Sequence, residues 1–249
     1  MRGDSTRVQC DLFPEIEGGS SPTSPLRFCK KDYRVVPIHP KLAQSISITN
    51  HYLHRRAPCS IALGLRRGGK IVGVAMFGTP SNRNLRSGIC GPEEANNVVE
   101  LNRLWIEDDE PINAESFLIA HSLRFLSKEI VVSYADPTAG HIGVVYQAGG
   151  WLYTGLSAAR PEYTVRGMDH LHKQSLFDGL GRATSDPQLP LQVEPLGQVA
   201  LLRARHGDDL VVGRQVRKHR YVRLLGRRRD DLRAKLRYSV LPYPPGGGL

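Results

Sequence analysis

Ser60-Ile61-Ala62-Leu63-Gly64-Leu65-Arg66-Arg67-Gly68-Gly69-Lys70-Ile71-Val72-Gly73-Val74-Ala75-Met76-Phe77-Gly78 is the stretch on which the fold turns. Two β-rich runs, 60–65 and 70–78, flank Arg66-Arg67-Gly68-Gly69. Paired glycines adopt positive φ without steric cost, so the pattern predicts an antiparallel hairpin. Working outward, Val98-Val99-Glu100-Leu101-Asn102-Arg103-Leu104-Trp105-Ile106 alternates in part and predicts a third strand. An acidic loop, Glu107-Asp108-Asp109-Glu110-Pro111, leads to a helix for which Asn113 is a good N-cap. Its apolar residues recur at Phe117, Leu118, Ala120, Leu123, Phe125 and Leu126. The run 130–135 predicts a short buried strand ended by Asp136-Pro137. Residues 140–148 fit a short helix closed by Gly149-Gly150, and 151–155 fit another strand. On the other side, Pro40 to Ile46 has helical spacing and runs towards Asn50 to Arg56, while Arg34 to Ile38 begins folded material. This order predicts an α/β (α+β) fold with a mixed, mainly antiparallel sheet flanked by helices.

The chain has 249 residues, enough to bury a core without disulfide staples. Cys10, Cys29, Cys59 and Cys90 form no C-x-x-C pair, which disfavours a zinc ribbon and a disulfide framework. No run of about 18 apolar residues offers a membrane span. The N-terminus lacks the apolar region of a secretory signal, so action inside the producing cell is expected. Lys and Arg number 34 against 24 Asp and Glu, a net of +10, which points to a polyanionic partner. Leu201 to Leu249 holds 13 basic and 4 acidic residues, so nearly the whole excess lies there. Three regions are expected. Residues 1–30 are a flexible leader, 31–178 a folded domain, and 179–249 a linker and a basic extension suited to nucleic acid.

Two family resemblances follow from these stretches. The element order, with Tyr146-Gln147-Ala148-Gly149-Gly150-Trp151, resembles the GCN5-related acyltransferase fold. Those enzymes usually hold acyl-CoA pyrophosphate on a Gly-rich loop before the long helix; here that loop is acidic and lacks glycine. The ordered set His51-Tyr52, Leu101 to Trp105, Asn113-Ala114-Glu115-Ser116, Ser133 to Pro137, Gly140 to Trp151 and the basic ending resembles the bacteriophage Mom family. The resemblance covers roughly His39 to Gly155 and the tail. It implies a DNA adenine-modifying transferase that adds a carbamoylmethyl (acetamido) group to adenine N6 and protects phage DNA from host restriction. It places the catalytic set on His51, Tyr52, Asp136 and Tyr146, with the same four as ligands of iron. Cofactor contacts fall on Arg103, Trp105, Ser116 and a serine at Ser122 or Ser127. The two-carbon donor is acetyl-CoA or another molecule, and the setting is the host cell cytoplasm.

Read as chemistry, the four residues offer imidazole, carboxylate and phenol oxygens. These suit iron, or equally an acid/base set at an amino group. Asp136-Pro137 is also a common turn starter, and a tyrosine on a short helix is more often core. Arg103 interrupts an apolar strand, so it either clamps an anion or pairs with Glu100 or a loop acid. Ser116 stands in the first turn of the long helix, as an anion contact or a plain N-terminal serine. Arg217, Lys218, Arg220, Arg223, Arg227, Arg228 and Arg229, with Tyr221 to stack on a base, are the expected contacts to double-stranded DNA. No membrane partner is expected, and a homodimer is left open. Two rival functions are an acyl-CoA-dependent N-acyltransferase, marked by acetyl-CoA binding, and a non-enzymatic nucleic-acid-binding protein, marked by an isolated tail that binds DNA without altering nucleosides.

Overall fold

The computed structural model describes residues 28–246 except 53, 55, 81, 169–175 and 177–197. Most of the expected leader and the Pro-rich stretch near 179–195 lie outside the described residues.

The chain enters through β1 (Tyr33–Pro37) and α1 (Pro40–Asn50), then forms β2 (Ile61–Arg67) and β3 (Lys70–Gly78). The hairpin is as expected, with a tighter turn. Only Gly68 and Gly69 link the strands, at φ +57° and +105°, the conformation that paired glycines supply. A helix not foreseen from the sequence, α2 (Arg83–Cys90), follows; the Asn82 side chain caps it by accepting from the backbone N–H groups of Asn84 and Leu85. Next come β4 (Val98–Ile106), α3 (Ala114–Ser122), β5 (Ile130–Ala135), α4 (Val144–Ala148) and β6 (Leu152–Leu156). Asn113 does stand at the N-cap of α3, but in the left-handed region at φ 84° and without a capping bond from its side chain. The Ser116 hydroxyl bonds back to the Asn113 carbonyl at 3.0 Å.

β7 (Arg160–Val165) and β8 (Leu210–Val216) form a second, two-stranded sheet. Tyr163, Val165, Leu202 and Leu210 make its own small apolar cluster with α5 (Gln198–His206). The last elements are β9 (His219–Leu224) and α6 (Arg229–Ala234).

The main sheet runs β1-β2-β3-β4-β5-β9-β6. Its pairs are antiparallel except β4 with β5. One face packs Leu63, Leu65, Phe77, Leu101, Val131, Trp151 and Tyr221 with Leu118 of α3 and Tyr146 of α4. The other face packs Val98, Ile130, Val132 and Val222 with Ile89 of α2 and Leu232 of α6. Each large side chain so buried contributes about 1.5–3 kcal/mol.

The basic segment is where the sequence reading needs correction. β9 lies inside the sheet, between β5 and β6, with Val132↔Val222 and Leu152↔Val222 in register. Tyr221 is 0% exposed, its ring among those of Tyr146, Tyr153 and Tyr243. It has no face to offer a base. Arg220 is buried too: Nε donates to Thr154 Oγ1 at 2.9 Å, and the guanidinium lies 3.5 Å from the Tyr238 ring centre. Arg223 donates to the Gly150 carbonyl at 2.7 Å. Arg228 bridges Glu94 and Glu129, tying α6 to the 92–97 turn and to the start of β5. These arginines hold the fold together. Arg217, Arg227 and Arg229 remain exposed.

One irregularity shapes everything near the site. β4 pairs with β3 through Leu101↔Phe77 and then Arg103↔Met76, which leaves Asn102 as an extra residue. Such a bulge bends its strand and sharpens the local twist. The parallel β4–β5 ladder ends at the same level, at Leu101↔Ser133. Beyond it β4 stays with β3, while Tyr134 and Ala135 stay with β9. The two strands part and a gap opens between their ends. Among the described residues, no helix is long and apolar enough to cross a membrane.

Because β9 is internal, truncation after Gln215 is expected to abolish the cooperative unfolding transition. Circular dichroism during denaturant titration checks this. A folded truncated protein that merely binds DNA less well would show that 216–249 is a separable extension after all.

Candidate active site

A cleft of about 610 Å³ occupies the gap between β4 and β5. Its walls come from five places: the 51–58 segment after α1, β4 from Glu100 to Leu104, Glu115 in the first turn of α3, the 134–146 segment from the end of β5 into α4, and Lys218 at the entry to β9. The 51–58 segment is pinned at its far end. Gln44 of α1 holds both backbone groups of Ala57 through its side-chain amide. The bulged Asn102 donates to the Pro58 carbonyl at 2.8 Å.

All four residues expected in the catalytic set line this cleft. His51 is 9% exposed and stacks on the Tyr52 ring, with centres 4.4 Å apart; Tyr52, half exposed, also leans on His141. Burial lowers the His51 imidazole to about 4, helped by the nearby positive charges of Arg103, His141 and His54. At neutral pH it is an uncharged ring. Burial likewise raises the Tyr52 phenol, and the Asp136 carboxylate adds to the shift.

Asp136 sits where β5 ends. Burial alone would raise its carboxyl, but hydrogen bonds from Lys218 and Thr138 outweigh it and hold the group below its usual range. Lys218 Nζ is 2.6 Å from Oδ2, while the Thr138 amide and hydroxyl donate to Oδ1 at 3.0 and 2.6 Å. Both oxygens are therefore engaged. Tyr146 is buried, and its phenol is raised to about 12, first by that burial. Ser133 Oγ lies 2.8 Å from the Tyr146 hydroxyl and 3.0 Å from the Leu101 carbonyl. A carbonyl only accepts and serine has one proton, so Ser133 donates to Leu101 and Tyr146 donates to Ser133.

The Asp136 carboxylate is committed to an ammonium group, which would repel a metal cation. Among the described residues, no cluster of three or more His, Cys, Asp or Glu side chains is placed to hold a metal. The structure lends the iron expectation no support.

The expected cofactor contacts scatter. Arg103 lines the cleft. Trp105 instead lines a neighbouring cavity of about 440 Å³ with Glu107, Asp108 and Glu115. Ser116 is half-buried and spends its hydroxyl on Asn113. Ser122 is 0% exposed at the end of α3, in the core rather than in the cleft. The 107–113 loop does not fit a CoA pyrophosphate. Glu110 is held by Tyr33 and Arg67, Glu107 is bound by Lys70, and three carboxylates face the adjacent cavity.

Sequence reasoning missed three of the cleft's groups as site residues. Glu100, first read only as a partner for Arg103, is in the wall, and burial raises its carboxyl to about 7 against the opposing charges of Arg103 and Lys218. A glutamate inside the apolar run VVELN was the available signal. Glu115 and His141 also line the cleft. Lys218, expected on DNA, belongs to this interior through Asp136.

The His51 shift makes a measurable statement. Its folded pKa lies below the unfolded value, so between about pH 4 and 6.5 the unfolded chain binds the extra proton and stability falls as pH falls. Substituting His51→Gln should flatten the stability profile across that window, and the His51 ring signals should titrate near 4 by NMR. A His51 midpoint at 6 or above would contradict the buried neutral ring.

Comparison with known proteins adds the relatives. The Mom protein family profile matches residues 32–245. The methylcarbamoylase mom of Escherichia phage Mu is 30% identical over 221 residues, covering 86% of this chain and 84% of that protein. Among solved structures, a putative acetyltransferase from Acinetobacter baylyi ADP1 aligns with 11% identity and a TM-score of 0.41, covering 78% of this chain and 92% of the other. The ribosomal-protein-S5-alanine acetyltransferase of Vibrio fischeri aligns with 9% identity and a TM-score of 0.41, covering 82% and 97%. The sequence match spans β1 through α6 and on to residue 245, internal strand β9 included. The chain belongs to the Mom protein family.

Proposed function

We propose that the protein is a phage DNA-modifying transferase that places a carbamoylmethyl group on the N6 of adenine and so shields DNA from host restriction. The observation that carries this reading is the 30% identity with the phage Mu methylcarbamoylase along most of both chains. The cleft is compatible with it in size and chemistry. A planar base needs a concave, mixed polar and apolar slot, and the parted strands supply one of about 610 Å³.

The adenine amino group is stacked and paired inside a duplex, so the base must leave the helix to enter this cleft. His51 and Tyr52, stacked on each other at its rim, offer a flat aromatic surface for such a base. Arg56 and Lys218 line the same cleft, and Arg217 is exposed beside Lys218 in the chain. In this reading Arg56 and Arg217 take the phosphates flanking the extruded nucleotide, while Lys218 stays with Asp136. Association is electrostatic and weakens with salt. The reaction belongs in the host cell cytoplasm, where phage DNA is found.

Expression in a bacterial host, followed by nucleoside mass spectrometry of its DNA, tests the reading. A deoxyadenosine about 57 mass units heavier is expected, the mass of a carbamoylmethyl group replacing one hydrogen on an extruded base. His51→Ala should reduce that species at least tenfold at equal protein level. Unmodified DNA from cells containing folded wild-type protein would overturn the proposal.

A further inference from the structure

The cleft contains three carboxyl groups, and they are not equivalent. Asp136 has both oxygens occupied by Lys218 and Thr138. Glu115 lies at the α3 end, shared with the neighbouring acidic cavity. Glu100 lies on β4 one residue before the last β4–β5 pair, opposite Val132 on one side and Gly78 on the other. A Cβ on Gly78 would come within 2.5 Å of the Pro58 carbonyl, so the 57–58 segment runs directly across this part of the sheet. Asn102 holds that segment there. Glu100 is thus flanked by the bulge, by the pinned 56–58 wall and by Lys218, beside the cations proposed to receive phosphates.

We infer that Glu100 is the proton acceptor for the adenine amino nitrogen, an assignment that rests on the DNA-modification reading above. The balance is simple. The N6 nitrogen forms a bond to the methylene carbon of an electrophilic two-carbon amide donor. The bond between that carbon and its leaving group breaks, and the leaving group departs with the electron pair. The N–H proton passes to the Glu100 carboxylate. The amino nitrogen of adenine is a weak nucleophile because its lone pair is delocalised into the ring, so removing its proton as the new bond forms has most effect there.

The alternatives in the cleft are poorly matched. His51, near 4, is too weak a base to hold a proton at neutral pH, and Tyr146, near 12, already donates to Ser133. Glu100 itself stands close to neutrality, where a general base works best. The charged and titratable groups around it are Arg103 on its own strand and Lys218 before β9. Beyond Lys218 lies Asp136, with Tyr146 on α4, Arg56 in the 51–58 segment and Glu115 on α3.

The experiment uses the full chain and scores modified adenine in DNA together with DNA affinity. Wild-type modification should rise with pH through about 7 and then level. Glu100→Gln should bind DNA within threefold of wild type, modify it about 100-fold more slowly and lose that rising limb. Glu100→Asp should keep a reduced rate and recover the limb. Modification by Glu100→Gln within threefold of wild type, or a rising limb that survives in it, would overturn the assignment. Loss of the limb in Glu115→Gln with Glu100 intact would move the role to Glu115 and overturn it as well. Wild-type protein that yields no modified adenine at any pH would instead overturn the functional reading, and this assignment with it.

Discussion

One extra residue in a strand governs this molecule. Asn102 has no partner in β3, so β4 bends where its parallel ladder with β5 stops. Without that bend the two strands would continue side by side, and their facing side chains would fill the space. With it, the carboxyl end of β5 is free to present Asp136, and the exposed flank of β4 presents Glu100 and Arg103. The same residue turns outward and fastens the Pro58 carbonyl, so the feature that opens the cleft also fixes one of its walls. A bulge next to a site is therefore a working part of the fold rather than a defect in the ladder.

Inside the cleft, charges alternate. Asp136, Lys218, Glu100 and Arg103 form a sequence of opposite signs drawn from three separate parts of the chain. Each carboxylate meets a cation, yet they respond differently to burial. Asp136 receives three hydrogen bonds and stays ionised, while Glu100 is left close to neutrality. Two acids in one cleft with separated affinities for a proton divide the labour between holding and transferring it. The imidazole and the two phenols are kept uncharged by burial, which leaves them to shape the slot and orient hydrogen bonds.

Local signals in the sequence were legible, and long-range ones were not. The Gly68-Gly69 hairpin, β4 and β5 follow from turn chemistry and alternation within a dozen residues. His51, Tyr52, Asp136 and Tyr146 could be placed together only through family resemblance, since they are scattered along 96 residues. The tail misled because charge counts treat every arginine as solvated. Arg220 and Arg228 are paired with Thr154 and with Glu94 and Glu129, groups 66 to 134 positions away. Tyr221, spaced among arginines, looked exposed and is at the centre of the core. Ser122 looked like a helix-surface hydroxyl and is enclosed. In each case the deciding contact comes from a distant stretch, which no local pattern encodes.

The position of β9 also sets a timetable. Synthesis proceeds from the N-terminus, and the strand that joins β5 to β6 leaves the ribosome after both of them. Until then β5 carries an unpaired edge of Val131, Val132 and their neighbours, and β6 has no sheet to join. Nascent chains in this condition are prone to pair with one another or to engage chaperones. The slow closing of contacts so distant in sequence delays the native state further. A protein built this way holds no finished cleft until β9 has emerged. The pocket around Asp136 and Lys218 is therefore completed only after Lys218 and β9 have been made, however early the rest of its walls are in place.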